Sequence, residues 1–142
     1  MYFFFAILCR KVLQNTDLNK YDFKEINEDE VAQLVEEISG IINGIWNIIS
    51  DRWSECFIKD IIKFNKKYNI QKGVGVYSLH TLFSQCLKEN DKDVMDAIHK
   101  FRDIIYNSKV QDYDWIVGGR FSGLSSSGGF DQIINSVKSE IN

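Results

Sequence analysis

The turn around Arg120 combines residue types that could bind a phosphate group. Gly118 and Gly119 allow a tight turn with positive φ, and an arginine held there can offer two parallel hydrogen bonds to a phosphate or carboxylate. Ser122 adds a hydroxyl, and the Ser/Gly-rich loop behind it leads into a predicted helix whose N-terminus favours anions. We predict that Gly118, Gly119, Arg120 and Ser122 bind a phosphate or nucleotide ligand. The alternative is an ordinary turn in which Arg120 pairs with an acid of the chain such as Asp114.

Charge segregation is the second feature with functional meaning. Residues 17–37 hold eight acids and two lysines, a net −6, whereas residues 51–72 hold six bases and three acids, a net +3. An acidic surface on a small protein can imitate a phosphate backbone and enter the basic cleft of a toxin or a nucleic-acid enzyme. We therefore predict a basic protein partner for five residues, with an ordinary solvated helix face as the alternative: Glu28, Asp29, Glu30, Glu36 and Glu37.

Residue types that support catalysis or metal binding do not occur in matching patterns. His80 and His99 fall on predicted helices without the acid and nucleophile of a catalytic constellation. Three cysteines without a Cys-x-x-Cys spacing suit neither a zinc site nor a disulfide framework and predict a reducing, cytoplasmic location. We predict no catalytic residue, metal or cofactor. The basic segment without interleaved exposed aromatics does not favour direct nucleic-acid binding, and no apolar run is long enough for a membrane span.

Hydrophobic periodicity predicts the elements that would position these residues. The aromatic run Met1–Cys9 is typical of a buried strand, and Asn27 can cap a helix whose apolar stripe runs from Val31 to Ile49. Tyr113–Val117 is predicted as a strand that ends at the two glycines. The remaining pattern predicts five further elements in chain order. The first two are Trp53–Tyr68, either a second helix or a continuation of the first after a bend at Ser50 and Asp51, and a short strand at Val74–Tyr77. Three helices follow: one capped by Ser78 that buries Leu79, Leu82, Phe83, Cys86 and Leu87, one that starts at Asn90 with Asp93 three residues on, and one capped by Asp131 that buries Ile133, Ile134, Val137 and Ile141.

Length and composition bound the architecture. The chain has 142 residues, no proline and a net charge of −3, with 44% hydrophobic and 26% charged residues. These values are typical of one globular domain, which we place at residues 1–142. Because helices outnumber scattered strands, we predict an α+β fold in which helices cover a small sheet that contains the N-terminal strand and Tyr113–Val117.

The segment from Asp114 to Gly123 resembles a motif of small uncharacterised phage and bacterial accessory proteins. That motif is Trp-x-x-Gly-Gly-Arg followed by an aromatic residue, any residue and a glycine, and here Phe121 stands where tryptophan is the commoner aromatic. The resemblance implies a mobile-element or conflict-system context. Together with the acidic segment, it favours a toxin-neutralising immunity protein or a phage-type inhibitor of host defence. The alternative is a nucleotide-sequestering module or a small enzyme that uses the Arg120 turn.

Overall fold

Four α-helices dominate the part of the chain that the structure describes. The computed structural model describes residues 28–58, 65–91 and 93–141. The α-helices are α1 (Glu28–Arg52), α2 (Gly73–Glu89), α3 (Val94–Asn107) and α4 (Ser127–Lys138), and two 3-10 helices span Ser54–Cys56 and Asp112–Trp115.

The α+β prediction is wrong for the described residues, which are helix-rich and form no strand. The β-type pairings between described residues are two isolated antiparallel bridges, Tyr68 with Ile116 and Ser108 with Glu140. The predicted strand Tyr113–Val117 is largely the second 3-10 helix. There the Asp114 carboxylate accepts a hydrogen bond from the Gln111 N–H at 2.8 Å, a local bond that competes with extended structure. The predicted strand Met1–Cys9 lies outside the described residues.

Two further sequence predictions fail because packing contacts prevail over the hydrophobic pattern. The Val74–Tyr77 strand is instead the start of α2, where Gly75 packs so closely on the Ile70 backbone that a Cβ would collide with it. The predicted helix Trp53–Tyr68 is also wrong where the structure describes it, because the chain forms a short 3-10 helix at Ser54–Cys56, is extended at Phe57 and is not helical at residues 65–68. Residues 59–64 of that prediction lie outside the described residues. Just beyond α1 the Trp53 Nε1–H donates to the Val110 carbonyl at 2.9 Å, which holds the chain against a distant loop.

The helix boundaries agree with the sequence in part. Asp93 caps α3 and accepts from the Asp96 N–H at 2.9 Å, whereas Asn90 is the C-cap of α2 rather than a helix start. The last helix begins earlier than predicted, with Ser126 as its cap instead of Asp131. The predicted inner face of α2 is confirmed, since all five of its residues are buried. Of the four predicted for the last helix, Ile141 is exposed.

The core is built around α3, which packs against each of the other three α-helices. Aromatic rings extend it from helix to loop: Trp53 meets Trp115 at 5.4 Å between ring centroids, and Trp115 meets Phe121 at 4.8 Å. Both contacts have the edge-to-face geometry that aromatic pairs prefer. The loop that carries the Arg120 turn is therefore anchored in the core by Trp115 and Phe121.

Helix α1 extends beyond the start of α3, although Leu34 and Ile38 on the extending part are buried. Its end is fixed by Arg52, whose Nη2 donates to the carbonyls of Ser108 and Val110 just beyond α3. Farther back, Gly44 lies opposite Ile98, the fifth residue of α3. With a rise of about 1.5 Å per residue, α1 passes the first turn of α3 near residue 40, so roughly 20 Å of α1 (residues 28–40) project beyond α3.

Candidate binding surfaces

The Arg120 turn places all four predicted ligand residues together. Gly118 has φ +83°, the left-handed conformation that glycine tolerates best. The Ser122 hydroxyl oxygen accepts from the Gly118 N–H at 2.6 Å and from Asn69 Nδ2 at 3.0 Å. The Gly119 N–H donates to the Ile116 carbonyl at 2.9 Å. The turn is thus closed by hydrogen bonds of its own.

The Arg120 guanidinium is also engaged within the chain. Its Nη1 lies 3.4 Å from Asp114 Oδ1, its Nη2 donates to Ser136 Oγ at 3.2 Å, and its centre lies 5.3 Å from the Phe121 ring centroid. This is the alternative considered above, in which Arg120 pairs with Asp114. A phosphate would have to displace these partners, although the Arg120 side chain is 52% exposed. Nucleotide binding stays a prediction, and the hydrogen bonding of the turn does not favour it.

The predicted partner-binding acids lie on the projecting part of α1. Glu28, Asp29, Glu36 and Glu37 are exposed, and we call these four residues the acidic patch; Glu30 lies in the same first turn of the helix. Asp29, Glu36 and Glu37 are seven and eight residues apart, a spacing that puts them on one side of a helix. None of the four forms an ion pair with another described residue, and no lysine or arginine occurs between Glu28 and Asp51.

Part of this acidity has a structural explanation. Acids in the first turn of a helix are stabilised by its dipole by about 0.3–1 kcal/mol each, which accounts for Glu28 and Asp29. The effect falls off within one turn, so it does not account for Glu36 and Glu37, which lie more than two turns into α1. Their only described side-chain contact is Gln33 Nε2, 3.4 Å from Glu37 Oε1. Neither carboxylate is therefore explained by the helix dipole or by an ion pair with a described residue.

Two valines beside the acidic patch were assigned to the core by periodicity and are exposed instead. Val31 and Val35 are one helical turn apart and 42% and 45% exposed, whereas Leu34 and Ile38 of the same stripe are buried. The apolar stripe of α1 is wider than the buried face at this end of the helix. The acidic patch therefore has an aliphatic border, which a single-sequence pattern cannot distinguish from core.

A second exposed apolar surface escaped the sequence analysis altogether. Tyr113, Ile116 and Val117 are 41–66% exposed, and Lys66 and Lys67 are exposed on the adjoining segment. The Val117 N–H donates to the Lys67 carbonyl at 2.8 Å, which joins the two segments. We call these five residues the Tyr113 patch. The strand prediction hid it, because alternation would have buried Tyr113 and Val117 with Trp115.

The buried histidine and cysteines are structural. The His80 Nε2 accepts from Trp46 Nε1–H at 3.0 Å, and burial lowers the pKa of His80 to about 4, so the ring is neutral near pH 7 and carries its proton on Nδ1. Burial first, and then the charge of Asp112, raise the pKa of Cys56 to about 12. Burial likewise raises the pKa of Cys86 to about 11. A thiol held protonated is a poor nucleophile and metal ligand.

Searches of the described residues return neither a metal cluster nor a membrane span. No three His, Cys, Asp or Glu side chains among them are grouped so as to hold a metal ion. Of the described helices, none has both the length and the apolar character needed to traverse a bilayer. Comparison of the chain with family models, with curated protein sequences and with solved structures finds no match.

Proposed function

We propose that this chain is a stoichiometric inhibitor of a bacterial conflict system that binds a basic protein through the acidic patch. The partner would be a toxin, which makes the chain an immunity protein, or a nucleic-acid enzyme of host defence, which makes it a phage-type inhibitor. The observation that carries the proposal is the position of Glu36 and Glu37, exposed, unpaired by described cations and displayed on the projecting part of α1. A reducing cytoplasm is the compartment we propose.

The chemistry of the patch suits a protein partner with a basic cleft. Carboxylates that are adjacent or about two helical turns apart on one side of a helix present charge at spacings that lysines and arginines of a nucleic-acid site can meet. Such complementarity speeds association at low salt and rejects partners of like charge. Val31 and Val35 add apolar area that a nucleic acid does not offer, and covering what remains exposed of each would contribute on the order of 1 kcal/mol. The partner would therefore bind this surface by charge at the centre and aliphatic contact at the border.

Affinity capture with matched variants tests the proposal. The immobilised chain is incubated with lysate of cells that encode it, and captured proteins are compared among wild type, Glu36→Lys/Glu37→Lys and Asp103→Lys/Asp131→Lys. The control pair reverses two acids that are exposed on α3 and α4, so both variants carry the same net charge.

The expected result is a basic protein captured by wild type and by the control but lost with the α1 variant. With the purified partner, reversing two interface charges should cost about 2 kcal/mol or more, which is roughly a 30-fold loss of affinity by titration calorimetry. A partner that binds both variants equally would contradict the proposal. Circular dichroism verifies that the helices of both variants remain folded.

A further inference from the structure

The Tyr113 patch has the make-up of a protein-binding surface. Ile116 and Val117 are adjacent exposed aliphatic side chains, with the more exposed Tyr113 beside them. Cations border this apolar centre: Lys66 and Lys67 are exposed, and Lys72 approaches the same segment, where its Nζ donates to the Lys66 carbonyl at 3.2 Å. Tyr113 could stack on a base, but the aliphatic Ile116 and Val117 offer no stacking surface, and their exposed apolar area favours a protein over a nucleic acid.

The described acids near these cations form no ion pair with them. Asp114 accepts from Gln111 N–H and pairs with Arg120. Asp112 accepts from the Glu55 N–H at 3.1 Å on the side of the patch toward α1. Neither Lys66 nor Lys67 pairs with an acid among the described residues. The surface therefore calls for a partner that brings both carboxylates and apolar side chains.

The chain itself carries a surface of that complementary kind. The acidic patch supplies carboxylates, and Val31 and Val35 supply the exposed aliphatic groups. The two surfaces lie at opposite ends of α1, because Trp53, just beyond its C-terminal end, contacts Trp115 next to the Tyr113 patch. From Glu36 to Trp53 the helix axis spans about 25 Å. That distance exceeds the screening length of about 10 Å in 0.1 M salt, so the two ends do not neutralise each other within one molecule.

We propose that the Tyr113 patch binds the acidic patch of a second copy of this chain, head to tail. Such a contact is heterologous, joining two different surfaces, so association continues with concentration rather than stopping at a symmetric dimer. Association covers the acidic patch of every copy but one in each assembly. A basic partner of the kind proposed above would therefore compete with self-association. The inference requires only the purified chain, so its failure would leave the proposed function standing.

Sedimentation velocity on the purified chain tests this contact. The weight-average mass of wild type should rise with concentration in about 50 mM salt and return to that of the monomer in about 500 mM salt, because screening shortens the range of the attraction. Two reversal variants, Glu36→Lys/Glu37→Lys and Lys66→Glu/Lys67→Glu, should each associate at least about tenfold more weakly than wild type. The Asp103→Lys/Asp131→Lys control should associate as wild type does.

A mixture of the two reversal variants tests most directly whether the two patches contact each other. Each variant keeps the surface that the other has lost, so an equimolar mixture should regain association although neither variant associates alone. The proposal is overturned if wild type stays monomeric at low salt, if either variant associates like wild type, or if the mixture stays monomeric. Circular dichroism checks that each variant folds. If a reversal variant does not fold, its neutral counterpart is used instead, which is Glu36→Gln/Glu37→Gln for the acidic patch and Lys66→Gln/Lys67→Gln for the Tyr113 patch. Those neutral pairs should weaken association in the same pattern.

Discussion

The buried hydrogen bond between Trp46 and His80 should make the free energy of unfolding depend on pH. His80 is 4% exposed, its Nε2 accepts from Trp46 Nε1–H, and its Nδ1 has no partner among the described residues. Burial alone accounts for the lowered pKa, which falls from 6.5 to about 4. Protonation of the folded protein would place a charge in this buried site and convert Nε2 from acceptor to donor, which breaks the bond to Trp46.

The sign and size of the effect follow from linkage. Between pH 6.5 and about 4 the unfolded chain binds a proton at His80 that the folded chain does not, so the free energy of unfolding falls as pH falls. The full effect is on the order of 3 kcal/mol. About 2 kcal/mol of it is lost between about pH 7 and pH 5, before most carboxylates titrate.

The assay is urea denaturation followed by tryptophan fluorescence at several pH values in that window. In the comparison variant, His80→Gln, the amide oxygen can accept from Trp46 Nε1–H but does not titrate. Wild type should lose about 2 kcal/mol more than His80→Gln between pH 7 and pH 5, and His99→Gln, at an exposed position, should behave as wild type. Parallel pH profiles for wild type and His80→Gln would refute the reasoning.

Three other predictions concern packing, the Arg120 turn and the thiols. In Gly40→Ala the added Cβ has no neighbour within 4 Å, so the free energy of unfolding should rise by up to about 1 kcal/mol. In Gly75→Ala the added Cβ would collide with the Ile70 backbone, so the free energy of unfolding measured by urea denaturation should fall by more than about 2 kcal/mol. Millimolar nucleotides should leave the melting temperature unchanged because the turn's donors are engaged internally; a nucleotide-induced rise that Arg120→Ala abolishes would reverse this conclusion. Because burial holds Cys56 and Cys86 protonated, both thiols should resist alkylation at pH 8 in the native state and react after unfolding. Peptide mass spectrometry measures the labelling, and native labelling at the rate of the unfolded chain would contradict their burial.

The sequence predicted the helices whose apolar stripes are complete and whose caps are local. The inner face of α2 follows from spacing and is found, whereas α3 is capped by Asp93 three residues after the predicted start at Asn90. The spacing of apolar residues and the identity of a capping residue are set by positions within a few residues of one another, so they can be taken directly from the sequence.

The failures arose where contacts that the hydrophobic pattern does not show, some local and some between distant segments, decided the structure. The turn at Trp53 depends on a carbonyl 57 residues away, and the start of α2 depends on close approach of Gly75 to Ile70. The position of the acids on α1 was predictable, but the Tyr113 patch was not, because its lysines and apolar residues lie about 50 positions apart and meet only in the fold.

Carboxyl footprinting of the complex with the captured partner tests the central claim most directly. Exposed carboxylates of the chain are labelled with a carbodiimide and an amine, with and without the partner, and each site is quantified by mass spectrometry. Binding through the acidic patch predicts a severalfold fall in labelling at Glu36 and Glu37, with Asp103 and Asp131 unchanged. Unchanged labelling at Glu36 and Glu37 in a saturated complex would contradict the claim.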